Sequence, residues 1–282
     1  MYNLKGKIAV VTGASRGIGK GVALGLAEYG ATVYVTGRTV SNEGLPGFLE
    51  NTTIQETVRE VNQLGGIGIA HRCDFSSDEE IKNLFERVER EQGRIDILVN
   101  NAWAAASHIM REYFFQTPFW EQPMSLYDDL HAVGLRSSYL SSRYAAQIMV
   151  KQHSGLIANI SYVSAKKYWL NVSNGLFKAA LDKFTSDAAY ELKKYGVKMF
   201  SIYPADVRTE GMLELSKYDQ SISLEKMETP QFVGRCIAAL EQDESNMDQS
   251  GEILRTGDIG LRYGITDING YQPIAVQYQS DK

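Results

Sequence analysis

The chain has 282 residues, 44% hydrophobic and 22% charged, with 29 Lys plus Arg against 34 Asp plus Glu and a formal net charge of −5. That balance suits a globular α/β core and excludes a disordered or fibrous chain and a basic nucleic-acid-binding surface. Two cysteines, Cys73 and Cys236, are too few for a disulfide framework, and no apolar run reaches the ~20 residues that span a bilayer. The Met1-Tyr-Asn-Leu-Lys-Gly-Lys7 start has no signal-peptide pattern, so a cytoplasmic protein with neither membrane nor nucleic-acid partner is expected.

In chain order the pattern predicts strand Ile8–Val11, helix Gly17–Tyr29, strand Thr32–Val35, helix Ile54–Leu64 and strand Gly66–Ala70. Helix Asp78–Glu91, strand Ile95–Val99, helix Leu126–Val150, strand Leu156–Ile160 and helix Asn174–Lys194 follow. Strand Val197–Ile202, helix Thr229–Glu241 and strand Glu252–Leu254 complete the series. Short aliphatic strands alternating with longer periodic segments imply an α/β doubly wound parallel sheet of Rossmann type, with helices on both faces. No Pro/Gly/Ser-rich linker divides the chain, so residues 1–282 are expected to form a single domain.

Three stretches break the rhythm: Thr39–Thr53, Trp103–Ser125 and Asp206–Glu228. Long loops in a compact domain tend to be functional, and the second and third follow strands whose carboxyl ends face ligands in such sheets. They are the expected substrate wall (103–125) and lid (206–228). The first of these two holds Trp103, Tyr113, Phe114, Phe115, Phe119 and Trp120, suited either to an apolar ligand or to sealing a loop or a subunit contact.

Thr12-Gly-Ala-Ser-Arg-Gly-Ile-Gly19 lies directly between strand and helix. Glycines allow a tight turn and close backbone approach, and the free amides that open a helix meet a pyrophosphate. Gly13, Ser15, Arg16, Gly17, Ile18 and Gly19 are therefore the expected phosphate-binding residues. The next strand ends in Val35-Thr36-Gly37-Arg38, without the acidic residue that would hold a ribose diol. Arg16 and Arg38 together can meet a 2′-phosphate, which favours NADP(H) over NAD(H); the alternative is that one or both are solvated surface residues.

The glycine pattern, Cys73-Asp74 after the third strand, Asn100-Asn-Ala102 after the fourth and Lys178 on a later helix together resemble the short-chain dehydrogenase/reductase family over nearly the whole chain. Phe119-Trp120, Tyr127-Asp-Asp129, Val133-Gly-Leu-Arg136, Arg262-Tyr-Gly264 and Asp267-x-Asn-Gly270 are similar to one of its subgroups. The resemblance implies that Asp74 meets the adenine edge, Asn101 lies beside the cofactor, Lys178 holds the nicotinamide ribose, and Thr209, after Pro204-Ala205, contacts the carboxamide. It also implies pairing of long helices into a homo-dimer or homo-tetramer, and a small-molecule carbonyl or alcohol substrate.

The sequence departs from the family where catalysis is expected. Family members use a serine to polarise the carbonyl, a tyrosine as acid or base, a lysine that lowers the tyrosine pKa, and often an asparagine holding a relay water. Four residues before Lys178 stands Asn174, whose amide gives no proton near neutral pH. Twelve residues before 174 is Tyr162, and a slip of one nominates Ser161. The asparagine position reads Gly134, and Trp103 replaces the glycine of Asn-Ala-Gly.

Three readings follow. In the first the chain is an NADP(H)-dependent oxidoreductase in which Tyr162, assisted by Lys178, gives the proton; in a plainer view Tyr162 only fills space, and Tyr168 is a weaker substitute. In the second it binds NADP(H) without turnover. In the third Asn174, Tyr162 and Lys178 serve a dehydratase, isomerase or cyclase. His71, His108, His131 and His153 show no metal-ligand spacing, so no metal site is expected, and His108 is held as a possible auxiliary acid. Asp206, Arg208 and Glu210 are read as solvated loop residues able to reach a polar substrate group.

Overall fold

The computed structural model describes residues 2–104, 108–109, 111–115 and 117–275. Strands β1 (Ile8–Val11), β2 (Thr32–Gly37), β3 (Ile67–Arg72), β4 (Ile97–Asn100), β5 (Gly155–Ile160), β6 (Val197–Tyr203) and β7 (Ile253–Arg255) form a parallel seven-stranded sheet. Its order is β3-β2-β1-β4-β5-β6-β7, which runs backward through the first three strands and forward through the rest, as a doubly wound sheet does. No described helix is long and apolar enough to cross a membrane. The chain divides into two compact units, one drawn from residues 1–72, 202–246 and 254–282, the other from 73–201 and 247–253.

The first unit is built on β1, whose four residues are all buried, paired in parallel with β2 from Ile8 opposite Thr32 to Val11 opposite Val35. Helix α1 (Gly17–Ala27) crosses α8 (Pro230–Gln242) at a distance that only glycine permits. A Cβ on Gly21 would lie 2.1 Å from the Pro230 carbonyl carbon, and one on Gly234 would lie 2.6 Å from the Val22 carbonyl oxygen. Pro230 suits the first turn of α8, where its missing N–H is no loss, and Thr229 caps that turn by accepting from the Phe232 amide. Helix α2 (Ile54–Gln63) starts on a Thr53 cap.

In the second unit β4 and β5 pair in parallel, and α3 (Asp78–Gln92) starts on Ser77 with Asp78, Glu79 and Glu80 in its first turn, where the helix dipole favours acids. A buried polar chain ties the strands to the helices. Asn100 donates to Asn159 and Ser142, Asn159 donates to Thr185, and Ser201 donates to the same Thr185 hydroxyl, all at 2.8–2.9 Å. Within the low dielectric of a core such bonds fix one arrangement of side chains.

Three features differ from the sequence expectation. The single helix expected at 126–150 is α4 (Met124–Asp129), a π-helical stretch Leu130–Arg136 and α5 (Ser137–Gln152). The wider turn contains Gly134, and the Ser137 and Ser138 hydroxyls bond back to the carbonyls of Val133 and Gly134. Such back-bonding competes with the regular ladder and leaves no hydrophobic-periodicity signal. The expected lid also contains a short helix, α7 (Glu210–Leu215), and the chain adds α9 (Thr256–Tyr263) after α8. Helix α6 (Val172–Leu192) carries Asn174 and Lys178.

Candidate active site

At the nucleotide end, in the first unit, Gly13 and Gly17 take positive φ values of 66° and 56°, conformations that side chains resist. The turn is anchored by the Ala14 amide, which donates to the Thr36 carbonyl at 2.8 Å. Ser15 is buried, and Ile18 and Gly19 lie in the first turn of α1. Arg16 donates to Thr39 Oγ1 at 2.6 Å. Burial lowers its pKa, Glu210 opposes that shift and Arg38 adds to it, so the two guanidinium groups share one electrostatic neighbourhood.

The lid reaches the same turn. Thr209 caps α7 and brings its Cγ2 to 3.6 Å from where a Gly17 Cβ would stand. Glu210 Oε2 accepts from the Gly17 amide at 2.9 Å. A carboxylate on this amide shows that the amino end of α1 takes an anion, so the glycine turn with Arg16 and Arg38 fits the phosphates of a dinucleotide. Pro204 is buried at the end of β6.

The lid is clipped at its base by a bridge between Val207 and Glu228. The Glu228 side chain is fully buried, lies 2.8 and 3.0 Å from the Thr256 hydroxyl through its two oxygens, and has its pKa pushed up to about 8 chiefly by burial. Thr256 also reaches the Tyr203 carbonyl at 3.5 Å. One hydroxyl proton cannot serve all three oxygens, which fits a protonated Glu228 donating to Thr256.

The remaining expected residues lie in the second unit. Asp74 is engaged in a local turn, accepting from the Ser76 amide at 2.9 Å and the Ser76 hydroxyl at 2.7 Å, and Asn101 directly follows β4. Lys178 Nζ donates to the Ile160 carbonyl at 2.7 Å and sits 4.5 Å from the centre of the Phe177 ring. The residue as a whole is half-buried, but its ammonium end is enclosed, and that desolvation lowers its pKa to about 7 against a smaller opposing effect of Asp182. Ser161 and Tyr162 follow Ile160, and Tyr162 is extended (φ −163°, ψ 165°), so their side chains project to opposite sides. The Ser161 hydroxyl is buried without a hydrogen-bond partner among the described residues, whereas the half-buried Tyr162 ring meets Trp169 edge-on at 6.2 Å.

Asn174 is buried, with its backbone amide on the Asn171 cap at 2.9 Å and its Nδ2 donating to Ser164 Oγ at 3.0 Å. Ser164 is a neighbour that sequence spacing did not suggest. Phe177 is another: its ring occupies the space beside Gly134, where an added Cβ would come within 2.7 Å of it. The sequence trace of that pairing is a bulky residue next to Lys178, matched by a glycine far upstream. In the aromatic stretch, Phe114 is fully buried with Leu126 and Leu130, and Trp103, Ile109, Tyr113 and Leu170 pack on them. Phe119 and Trp120 are exposed instead.

The short chain dehydrogenase family profile matches residues 7–220, and the chain belongs to the short-chain dehydrogenase/reductase family, whose members are oxidoreductases that bind nicotinamide cofactors. It is 41% identical to dehydrogenase/reductase SDR family member 1 of Mus musculus over 278 residues, covering 95% of this chain and 85% of that protein. The Homo sapiens protein of the same name is 39% identical over 280 residues with the same coverage, and it is this subgroup that the sequence motifs resemble. Among solved structures, a metagenomic short-chain oxidoreductase in complex with NADP is 29% identical, with a TM-score of 0.70 over 89% of this chain and 97% of that one.

Proposed function

We propose that the chain is an NADP(H)-dependent oxidoreductase acting on a carbonyl or alcohol of a small, apolar substrate, with residues 1–282 serving as one cofactor-binding domain. The observation that carries this reading is the Gly17 amide holding a carboxylate beside Arg16, with Arg38 close enough to affect Arg16 electrostatically. Gly13, Ser15, Gly17, Ile18 and Gly19 would hold the pyrophosphate, Arg16 and Arg38 the 2′-phosphate, and Asp74 the adenine edge. Asn101, Lys178, Pro204 and Thr209 would hold the nicotinamide half. Bound NADPH supplies hydride. Ser161, with its unpaired buried hydroxyl, would orient the carbonyl oxygen, and Tyr162 is the phenol that the sequence nominates as proton donor. Lys178 can hold a ribose hydroxyl in either charge state, since an amine keeps N–H donors after losing a proton. We place the protein in the cytoplasm, and as a homo-dimer or homo-tetramer, the latter in keeping with the small residues Ala179, Ala180 and Ala188 that α6 leaves exposed or half-buried.

The test separates binding from turnover: titrate NADPH by fluorescence, then follow its oxidation with aldehydes, quinones and aryl ketones. Binding with oxidation is expected. Removing both arginines (R16A with R38A) should weaken NADPH binding by about 10- to 100-fold while changing NADH binding far less, since charged hydrogen bonds contribute ~1.5–3 kcal/mol. Equal losses for both dinucleotides would count against the 2′-phosphate assignment. Because Glu210 occupies the anion seat, Glu210→Gln is expected to tighten NADPH binding about two- to fivefold, in line with the ~0.3–1 kcal/mol of a charge at a helix terminus. Unchanged or weaker binding would show that the carboxylate does not compete. A second reading, binding without redox turnover, draws on the replacement of the phenol by the buried Asn174 amide, and tight NADPH binding with no oxidation would favour it.

A further inference from the structure

The second unit holds another phenol with a charged support. His108 is 5% exposed within the apolar loop, its Nδ1 lies 2.7 Å from the Tyr113 hydroxyl, and its Nε2 lies 2.8 Å from Asp129 Oδ2. The three residues come from separate places, the loop at 108, the 3₁₀ turn Glu112–Phe114 and the last residue of α4. Tyr113 packs on the buried cluster of Phe114, Leu126 and Leu130, with Trp103 on the same cluster.

This group is tied to the Asn174 site through few bonds. The carbonyl of Phe114, next to Tyr113, accepts from Asn171 Nδ2 at 3.2 Å, and Asn171 Oδ1 accepts from the Asn174 amide at 2.9 Å. Meanwhile the route that the family resemblance implies is closed: residue 174 has no phenol, and Phe177 fills the side of Gly134 where an asparagine would hold a water. The usual arrangement is a cation beside a phenol, which makes the phenol a better acid. Here the group beside a phenol is the His108 ring, held in orientation by Asp129 at its other nitrogen.

We propose that Tyr113 is the proton donor of the reaction and that His108 and Asp129 are its positioning residues, a deepening that rests on the oxidoreductase reading. In the reduction, the carbonyl carbon gains the hydride with its electron pair and the C=O π bond breaks toward oxygen. The Tyr113 O–H bond breaks and its proton goes to that oxygen. The His108 Nδ1–H bond breaks in turn and its proton goes to the phenolate, leaving a neutral imidazole whose Nε2–H stays on Asp129. Water returns the proton through the Tyr113 oxygen after the alcohol leaves, and the reverse sequence serves oxidation. Tyr113 takes over the acid's role, and His108 with Asp129 orients its hydroxyl and resupplies its proton.

The experiment compares Tyr113→Phe, Tyr162→Phe and Asp129→Asn with the wild-type chain, using NADPH and the best carbonyl of the panel. Tyr113→Phe is expected to lower kcat by about 10²–10⁴-fold, the usual range for losing a general acid, with KM and the NADPH Kd within about twofold and the protein still folded at the assay temperature. Asp129→Asn should lower kcat less, and Asp129→Glu should restore most of it. In cofactor-free protein labelled at tyrosine Cζ, His108→Gln should shift the Tyr113 resonance and leave that of Tyr162 in place. Wild-type kcat in Tyr113→Phe, loss of turnover in Tyr162→Phe alone, or an unmoved Tyr113 resonance would each overturn the assignment while leaving the oxidoreductase reading intact. No NADPH oxidation by the wild-type chain across the panel would overturn both.

Discussion

Gly134→Asn is expected to destabilise the protein by about 1–3 kcal/mol, the usual cost of forcing extra atoms into a packed site, and the loss should vanish when Phe177 is shortened. The first Cβ would stand 2.7 Å from two carbons of the Phe177 ring, and the remaining side-chain atoms need still more room. Phe177 is 2% exposed and cannot swing into solvent without giving up its packing. Phe177→Ala alone should cost roughly 3–5 kcal/mol through the cavity it leaves. The two residues compete for one volume, so the double variant should be more stable than the sum of the singles implies, by about 1–3 kcal/mol in urea unfolding. Additive losses would mean that the π-helical stretch adjusts without help from Phe177. The same cycle bears on function, since Lys178 lies over the Phe177 ring and its surroundings would change with it.

The second large effect is a pH dependence of stability centred on Glu228. Its carboxyl is buried, and its pKa in the fold is about 8 because desolvation outweighs the bonds from Thr256 and the Ala205 amide, with Asp267 and Asp206 adding to the rise. In the unfolded chain the same group ionises near ~4.3. The folded state therefore holds a proton that the unfolded chain has lost between those two values. The stabilisation is complete below the unfolded pKa, and it is lost as pH rises through about 8, at about 1.4 kcal/mol per pH unit. Glu228→Gln keeps the shape and removes the titration. Relative to that variant, the wild-type chain should lose about 3 kcal/mol between roughly pH 5.5 and 8 in denaturant unfolding. Parallel pH profiles for the two proteins would refute the assignment. Because Glu228 anchors the Val207 bridge, fraying of the lid base should accompany the loss.

Much of the architecture was legible because strand and helix periods differ and because the glycine turn sits between two such periods. Ile8–Val11 was placed to the residue, and all seven strands fall where aliphatic runs interrupt helical spacing. The break at Leu130–Arg136 was not legible, since a π-helical turn keeps apolar residues close to helical spacing and Phe177, which packs beside Gly134, lies more than forty residues away. At the site, Asn174 and Lys178 were nominated by the four-residue spacing that the family resemblance implies, and both lie on α6. Ser164, Glu210 at Gly17 and the His108 pair could not, because each depends on how loops return. Glu210 in particular reads as an ordinary solvated acid until the backbone carries it to the start of α1.

That contact has a practical meaning for anyone screening ligands. A protein that lends its own carboxylate to the amino end of α1 already holds part of the interaction that an incoming phosphate would make. Melting-temperature shifts measure only the surplus of ligand binding over what the ligand displaces. Compounds that reach the glycine turn will therefore look weaker by thermal shift than their contacts warrant, and those that leave Glu210 in place will rank too high.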